Sequence, residues 1–192
     1  MNSKADVRRD AVLIGGREER VIVIVDYDAA WPQRFEALAQ TIRDAVGEKA
    51  VSVEHIGSTA VPGLAAKPII DVLITVTEVE DEAAYIPALE DAGFVLRVRE
   101  EGHRMLRTPA RDVHLHVFHP ENDAVAKYRD LRDWLRTDEA DRALYADTKM
   151  VLARRPWSDM NEYADAKTDV ISLILAHARV WREKRLRAAA TT

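Results

Sequence analysis

A single carboxylate in the middle of an apolar run constrains this chain more than any other feature. Residues Ile69-Ile70-Asp71-Val72-Leu73-Ile74 read as a buried strand of aliphatic and β-branched side chains, and Asp71 interrupts it. An ionised group there must meet a cation, a set of donors or water, because burying it alone is costly. The preceding segment has the complementary chemistry. Glu54-His55-Ile56 closes a short β-branched run, and Gly57-Ser58-Thr59-Ala60-Val61-Pro62-Gly63 follows as a loop in which glycine permits close backbone approach and two hydroxyls donate. Lys67 lies further along the same loop. Read for function, this is a phosphate cradle followed by a metal-holding aspartate; read for structure alone, it is a turn and a capping carboxylate. Short glycine motifs leave both readings open.

Composition narrows the setting. With 192 residues, 47% of them hydrophobic, the chain can bury one full core. One domain is therefore expected over residues 21–180, between a polar tail at 1–20 and a basic tail at 181–192. The absence of cysteine excludes disulfides and thiolate catalysis. A formal net charge of −5 argues against a protein that coats nucleic acid, which needs a basic face. No apolar run approaches the ~20 residues of a membrane span. The first residues lack the hydrophobic centre of a signal peptide, so a cytoplasmic protein is expected. Oligomeric state is not legible in the sequence.

Taken in order, Val21–Val25 predicts a short strand or an extended lead-in, and Asp28 with Trp31-Pro32 predicts a helix start. Phe35, Leu38, Ile42 and Val46 continue that helix to Gly47. Glu80–Ala92 predicts a second helix containing Pro87. Phe94–Arg99 and His103–Thr108 form a hairpin about Gly102, placing Arg97, Arg99, Arg104 and Arg107 on one meander that could supply cations to the Ser58 loop. Asp112–Phe118 alternates strictly, so His114 and His116 share a face opposite Val113, Leu115 and Val117. Paired imidazoles on one face suit metal binding or proton transfer. Residues 121–180 read as three helices, starting at Asn122 or Asp123, at Asp138 and at Ser158-Asp159. Leu144, Tyr145, Met150 or Val151, and Leu152 make the apolar stripe of the middle one.

The string from Glu54 to Asp71 resembles the signature of the GrpB family, E-H-I-G-S-T-x-V-P-G-L-x-A-K-P-I-I-D. The W-P-x-x-F at Trp31, the H-x-H-V at His114, the R-D-x-L-R at Arg132 and the Y-x-x-A-K at Tyr163 are similar to segments of the same family, whereas Thr148 stands where leucine is common. That family is similar to the nucleotidyltransferase superfamily. The resemblance spans residues 21–178 and implies an α+β fold, a nucleotidyltransferase-like mixed sheet of about five strands with helices on one face and a helical C-terminal subdomain. It also implies a small-molecule nucleotidyl- or phosphoryl-transferase, with Asp71, His114 and His116 catalytic. Asp71 would hold a divalent metal, Mg2+ being the expected ion, with Glu54 and His116 as further ligands. Gly57, Ser58, Thr59, Lys67, Arg132, Lys149 and Lys167 would bind a small anionic, phosphate-bearing ligand such as a nucleotide. Leu73 occupies the second place of the D-x-D pair those enzymes use, so the alternative is an inactive nucleotide- or phosphate-binding module.

Overall fold

Side-chain alternation along the strands sorts the residues into two layers. The computed structural model describes residues 11–16, 21–157 and 160–189. Strands β1 (Ser52–Ile56), β2 (Ile70–Thr75), β3 (Val95–Glu100), β4 (His103–Arg107) and β5 (Val113–Phe118) form one sheet in the order β1-β2-β5-β4-β3. The β2–β5 pair is parallel and the other three are antiparallel. The fold is α+β, as the resemblance implies.

One sheet face carries Ile70, Val72 and Ile74 of β2 beside Val113, Leu115 and Val117 of β5, all buried. Helix α1 (Trp31–Val46) covers it, with Pro32 in the first turn where its missing N–H is not needed. Its buried stripe of Trp31, Phe35, Ala39, Ile42 and Val46 repeats at helical spacing. Burying each larger aliphatic or aromatic side chain contributes ~1.5–3 kcal/mol. The short α2 (Ile86–Asp91) adds Ile86 and Leu89 to the same core.

The opposite face carries Asp71 and Leu73 of β2, in register with His114 and His116 of β5. Helix α3 (Asp123–Thr137) lies over one end of it, packing Val125 and Tyr128 on Ile56, Leu73 and Phe118. Helices α4 (Glu139–Ala153), α5 (Met160–Asp165) and α6 (Thr168–Ala189) complete the C-terminal part. Val61 and Leu64 of the glycine-bearing loop pack with Leu135, Tyr145 and Ile174 in a separate small core, which ties the loop to the helices. Asn122 and Asp138 cap α3 and α4 by accepting backbone N–H bonds from Ala124 and Asp141.

Several local expectations are corrected. Of the two readings of Val21–Val25, the structure has the extended lead-in and not the strand. This segment makes a single bridge, Val25 to Ala66, and Val21 and Val23 stay exposed, so β-branched propensity without a partner ladder does not suffice. The helix expected from Glu80 begins only at Ile86, because Pro87 belongs in a first turn. The third C-terminal helix is two, divided at Ala166-Lys167, and α6 runs to Ala189 into the expected basic tail. Its expected start at Ser158-Asp159 lies outside the described residues. In α4 Leu144, Met150 and Val151 are exposed, and the buried face is instead Asp141, Tyr145, Lys149 and Leu152. Leu13 and Ile14 of the polar lead touch the outer side of β3, Leu13 by a single bridge to Val98 and Ile14 through its N–H, which donates to the Arg97 carbonyl at 2.8 Å.

Candidate functional site

Two adjacent parallel strands bring the acidic and imidazole groups together. Asp71 of β2 faces His114 of β5, with Nδ1 of His114 3.4 Å from the Asp71 carboxylate. One ligating atom from each of Asp71, His114 and His116 can be chosen so that all lie within 4.8 Å of one another. Burial alone would raise the Asp71 pKa, but the His114 hydrogen bond and the charges of His114, His116 and Lys67 bring it below its ordinary value. Burial drives His116 down to about 3. Its Nδ1 lies 3.3 Å from Nε2 of His103, whose own Nδ1 lies 3.5 Å from Glu100.

The glycine-bearing loop reaches this carboxylate at Gly57. With φ of 71°, Gly57 adopts a conformation that disfavours a Cβ, and a Cβ there would lie 2.4 Å from Asp71 Oδ2. Ser58–Ala60 then makes one 3₁₀ turn. Lys149 of α4 donates to the Ser58 hydroxyl at 3.1 Å and to the Ala65 carbonyl. Tyr145, one turn earlier, also shares a hydrogen bond with Ser58.

These groups line a cavity of about 390 Å³ between the sheet and the C-terminal helices. Asp71, His114 and His116 form its floor. Lys67, Arg132, Lys149 and Lys167 bring cationic heads from four different segments, and Asp71 is the one carboxylate among the lining residues. Aromatic rings hold the lysines: Nζ of Lys149 sits 4.6 Å from the Tyr145 ring centroid, and Lys67 and Lys167 sit 5.3 and 4.9 Å from that of Tyr163. Burial and the neighbouring Lys167 and Lys67 lower the Lys149 pKa to about 7, and burial lowers that of Lys167. Tyr163 is 1% exposed, and its hydroxyl has no hydrogen-bond partner among the described residues.

Of the residues expected at the site, Gly57, Ser58, Lys67, Asp71, His114, His116, Arg132, Lys149 and Lys167 all line this cavity. Thr59 does not. Its hydroxyl donates to the Ile69 carbonyl at 3.0 Å and bonds Nε2 of His55, so it braces the loop from behind. Glu54, expected as a metal ligand, does not line the cavity: Arg129 donates to its Oε1 at 2.9 Å and Arg132 to its Oε2 at 3.0 Å. A carboxylate with both oxygens held by guanidiniums is a positioning group for Arg132. The meander arginines serve elsewhere. Arg97 donates to the Ile14 and Gly16 carbonyls, Arg99 and Arg104 bind Glu82, and neither these three nor Arg107 lines the cavity.

From its sequence context Tyr145 reads as a core residue, and neither His103 nor Tyr128 carries a functional signal. A signal for Tyr145 was present: Tyr145-Ala-Asp-Thr-Lys149 and Tyr163-Ala-Asp-Ala-Lys167 are near copies, and a spacing of four puts each lysine one helical turn from its tyrosine. Tyr128 and His103 gave no such signal, since their roles depend on β4, β5 and α3 meeting in space.

A family model described as GrpB protein matches residues 21–177. The UPF0157 protein SCO7215 of Streptomyces coelicolor is 51% identical over 166 residues, 86% of this chain and 89% of its own. The crystal structure of GrpB from Enterococcus faecalis superposes with a TM-score of 0.74 at 33% identity, over 83% of this chain and 99% of that one. The structure of Cid1 in complex with its short product ApU reaches a TM-score of 0.51 at 12% identity, over 69% of this chain and 43% of that one, a likeness of fold alone. With the family match running from the β-branched run at Val21 into α6, and the sheet and loop arranged as described, this chain belongs to the GrpB family and has a nucleotidyltransferase-like fold.

Proposed function

We propose that the cavity binds a small phosphate-bearing ligand, a nucleotide or similar anion, and that the protein is a small-molecule nucleotidyl- or phosphoryl-transferase. The observation that carries this reading is the segregation of charge: four cationic side chains on the walls against one carboxylate on the floor. Buried lysines close enough to depress one another call for an anion between them. Lys67, Lys149, Lys167 and Arg132 would neutralise phosphate oxygens. Ser58, oriented by Lys149 and Tyr145, would donate or accept at the ligand, and the unpartnered Tyr163 hydroxyl would donate to it.

A second reading has its own observation. Leu73 lies in register with His116, is fully buried, and packs with Ile56, Phe118 and Val125, so β2 presents no second carboxylate two residues after Asp71. Magnesium prefers octahedral oxygen ligands, and one carboxylate with two imidazoles does not fit that ion held by the protein alone. This favours an inactive module that binds the same ligand without consuming it.

Calorimetric titration of ATP and inorganic pyrophosphate, with a turnover assay alongside, separates the readings. Ser58→Ala should weaken binding about ten- to a hundredfold, the loss of one charge-assisted hydrogen bond. Thr59→Val should bind within about twofold of wild type while lowering stability. Nucleotide consumption that stops in Asp71→Asn supports the transferase, and tight binding without consumption supports the module. If neither anion binds the wild type, both readings fail.

A further inference from the structure

We infer that Asp71, His114 and His116 form a three-ligand site for a divalent first-row transition ion of the zinc class, and that His103 and Glu100 fix the ligating tautomer of His116. This deepens the reading above, because the ion would share the cavity with the phosphate-bearing ligand, yet it rests on the floor of the cavity and not on its cationic walls.

The donor set carries the first half. Two imidazoles and one carboxylate, with ligating atoms within 4.8 Å of one another, come from two paired strands whose backbones are fixed by parallel hydrogen bonding. Ligands at ~2.1 Å around a tetrahedral ion are roughly 3.4 Å apart, so an inward shift of under about 1 Å per side chain closes the site. Imidazole nitrogen suits zinc, iron, cobalt and nickel, whereas magnesium selects oxygen. Three protein ligands also leave a coordination position for water or a ligand oxygen.

An independent observation carries the second half. A metal-ligating histidine ordinarily gives its other ring N–H to an acceptor, which fixes the tautomer. His116 has such an acceptor in Nε2 of His103 at 3.3 Å, and His103 Nδ1 in turn lies 3.5 Å from Glu100. With the His103 proton on Nδ1 toward the carboxylate, its Nε2 accepts from His116 Nδ1. The lone pair of His116 then resides on Nε2. Stacking of His103 on Phe118, with centroids 4.3 Å apart and planes at 4°, holds the relay in line. None of this is required for packing, where a phenylalanine at 103 would stack as well. His103 is thus a positioning residue.

The test uses the full chain, stripped of metal by chelator and dialysed. Cobalt(II) titration followed by visible absorption should give one ion per chain, displaced by zinc and not by a large excess of magnesium. His114→Ala and His116→Ala should abolish the cobalt band. His103→Phe, which keeps the stack and loses the acceptor, should weaken zinc binding about ten- to a hundredfold, and His103→Gln should recover part of it. Preference of the wild type for magnesium over zinc and cobalt overturns the proposal without any variant, as does a cobalt band unchanged in His116→Ala. An unchanged zinc affinity in His103→Phe overturns the relay. Pyrophosphate titration of the same samples keeps the two ideas apart. Pyrophosphate binding without transition-metal binding sinks this inference and leaves the pocket reading standing; metal binding by a protein that takes neither pyrophosphate nor ATP does the reverse.

Discussion

Lys149→Met tests whether the cavity is held in tension by its own cations. Lys149 is 2% exposed, and its pKa falls from 10.5 to about 7, chiefly through burial and then through Lys167 and Lys67. The unfolded chain keeps the proton up to about pH 10.5, while the folded chain releases it near 7. Between those values the unfolded state binds more protons, so stability rises with pH by about 1.4 kcal/mol per unit, and below pH 7 the whole penalty of about 5 kcal/mol is present. Methionine keeps the apolar stem and removes the charge. It also removes the bonds to Ser58 and Ala65, and leaving a buried carbonyl unpaired costs about 1–3 kcal/mol. The variant should therefore be more stable than wild type by about 2–4 kcal/mol at pH 6.5, with the difference shrinking by about 3 kcal/mol by pH 9.5. Urea denaturation at pH 6.5, 7.5, 8.5 and 9.5 without phosphate measures it. A difference that stays constant within about 0.5 kcal/mol across that range would refute the reasoning, since the lysine would then be charged throughout.

Two further changes probe the frame around the site. Gly57→Ala should cost about 2 kcal/mol or more and displace Asp71, because it combines a positive φ with a Cβ 2.4 Å from the carboxylate; urea denaturation showing a loss under about 0.5 kcal/mol would contradict the close approach. Hydrogen bonding from Arg99, against a smaller opposing effect of burial and with help from Arg104, lowers the Glu82 pKa to about 2. Its stabilisation is thus present above pH 4.5 and lost as pH falls toward 2. Glu82→Gln should remove about 1–2 kcal/mol at pH 7, discounted for solvent screening, and flatten acid unfolding over that window, which far-UV circular dichroism can follow.

Legibility in the sequence tracked how local each cause was. The five strands and α1 could be read because period-two and period-3.6 patterns are written within single segments, as in Asp112–Phe118 and in Trp31 to Val46. Asp71 could be read because it violates its own strand's pattern. What single segments left open depended on partners. Val21–Val25 has strand residues and no ladder, Glu54 lies on the site's face of the sheet but is taken by Arg129 and Arg132, and Thr59 sits beside Ser58 while pointing into the loop's own bracing. In α4 the buried face is defined by a tyrosine and a lysine, which hydrophobicity alone does not mark.

The contact of Leu13 and Ile14 with β3 bears on how the molecule behaves in company. An uncovered outer strand is a template for the backbone of another chain. Here Leu13 bridges Val98, the Ile14 N–H takes the Arg97 carbonyl, and the Arg97 guanidinium binds the carbonyls of Ile14 and Gly16, so the chain's own lead occupies that border. The family match begins only at residue 21. A version trimmed to the matched region would lose this covering while keeping every residue of the cavity, and its self-association at high concentration would report a bare sheet edge rather than a damaged pocket.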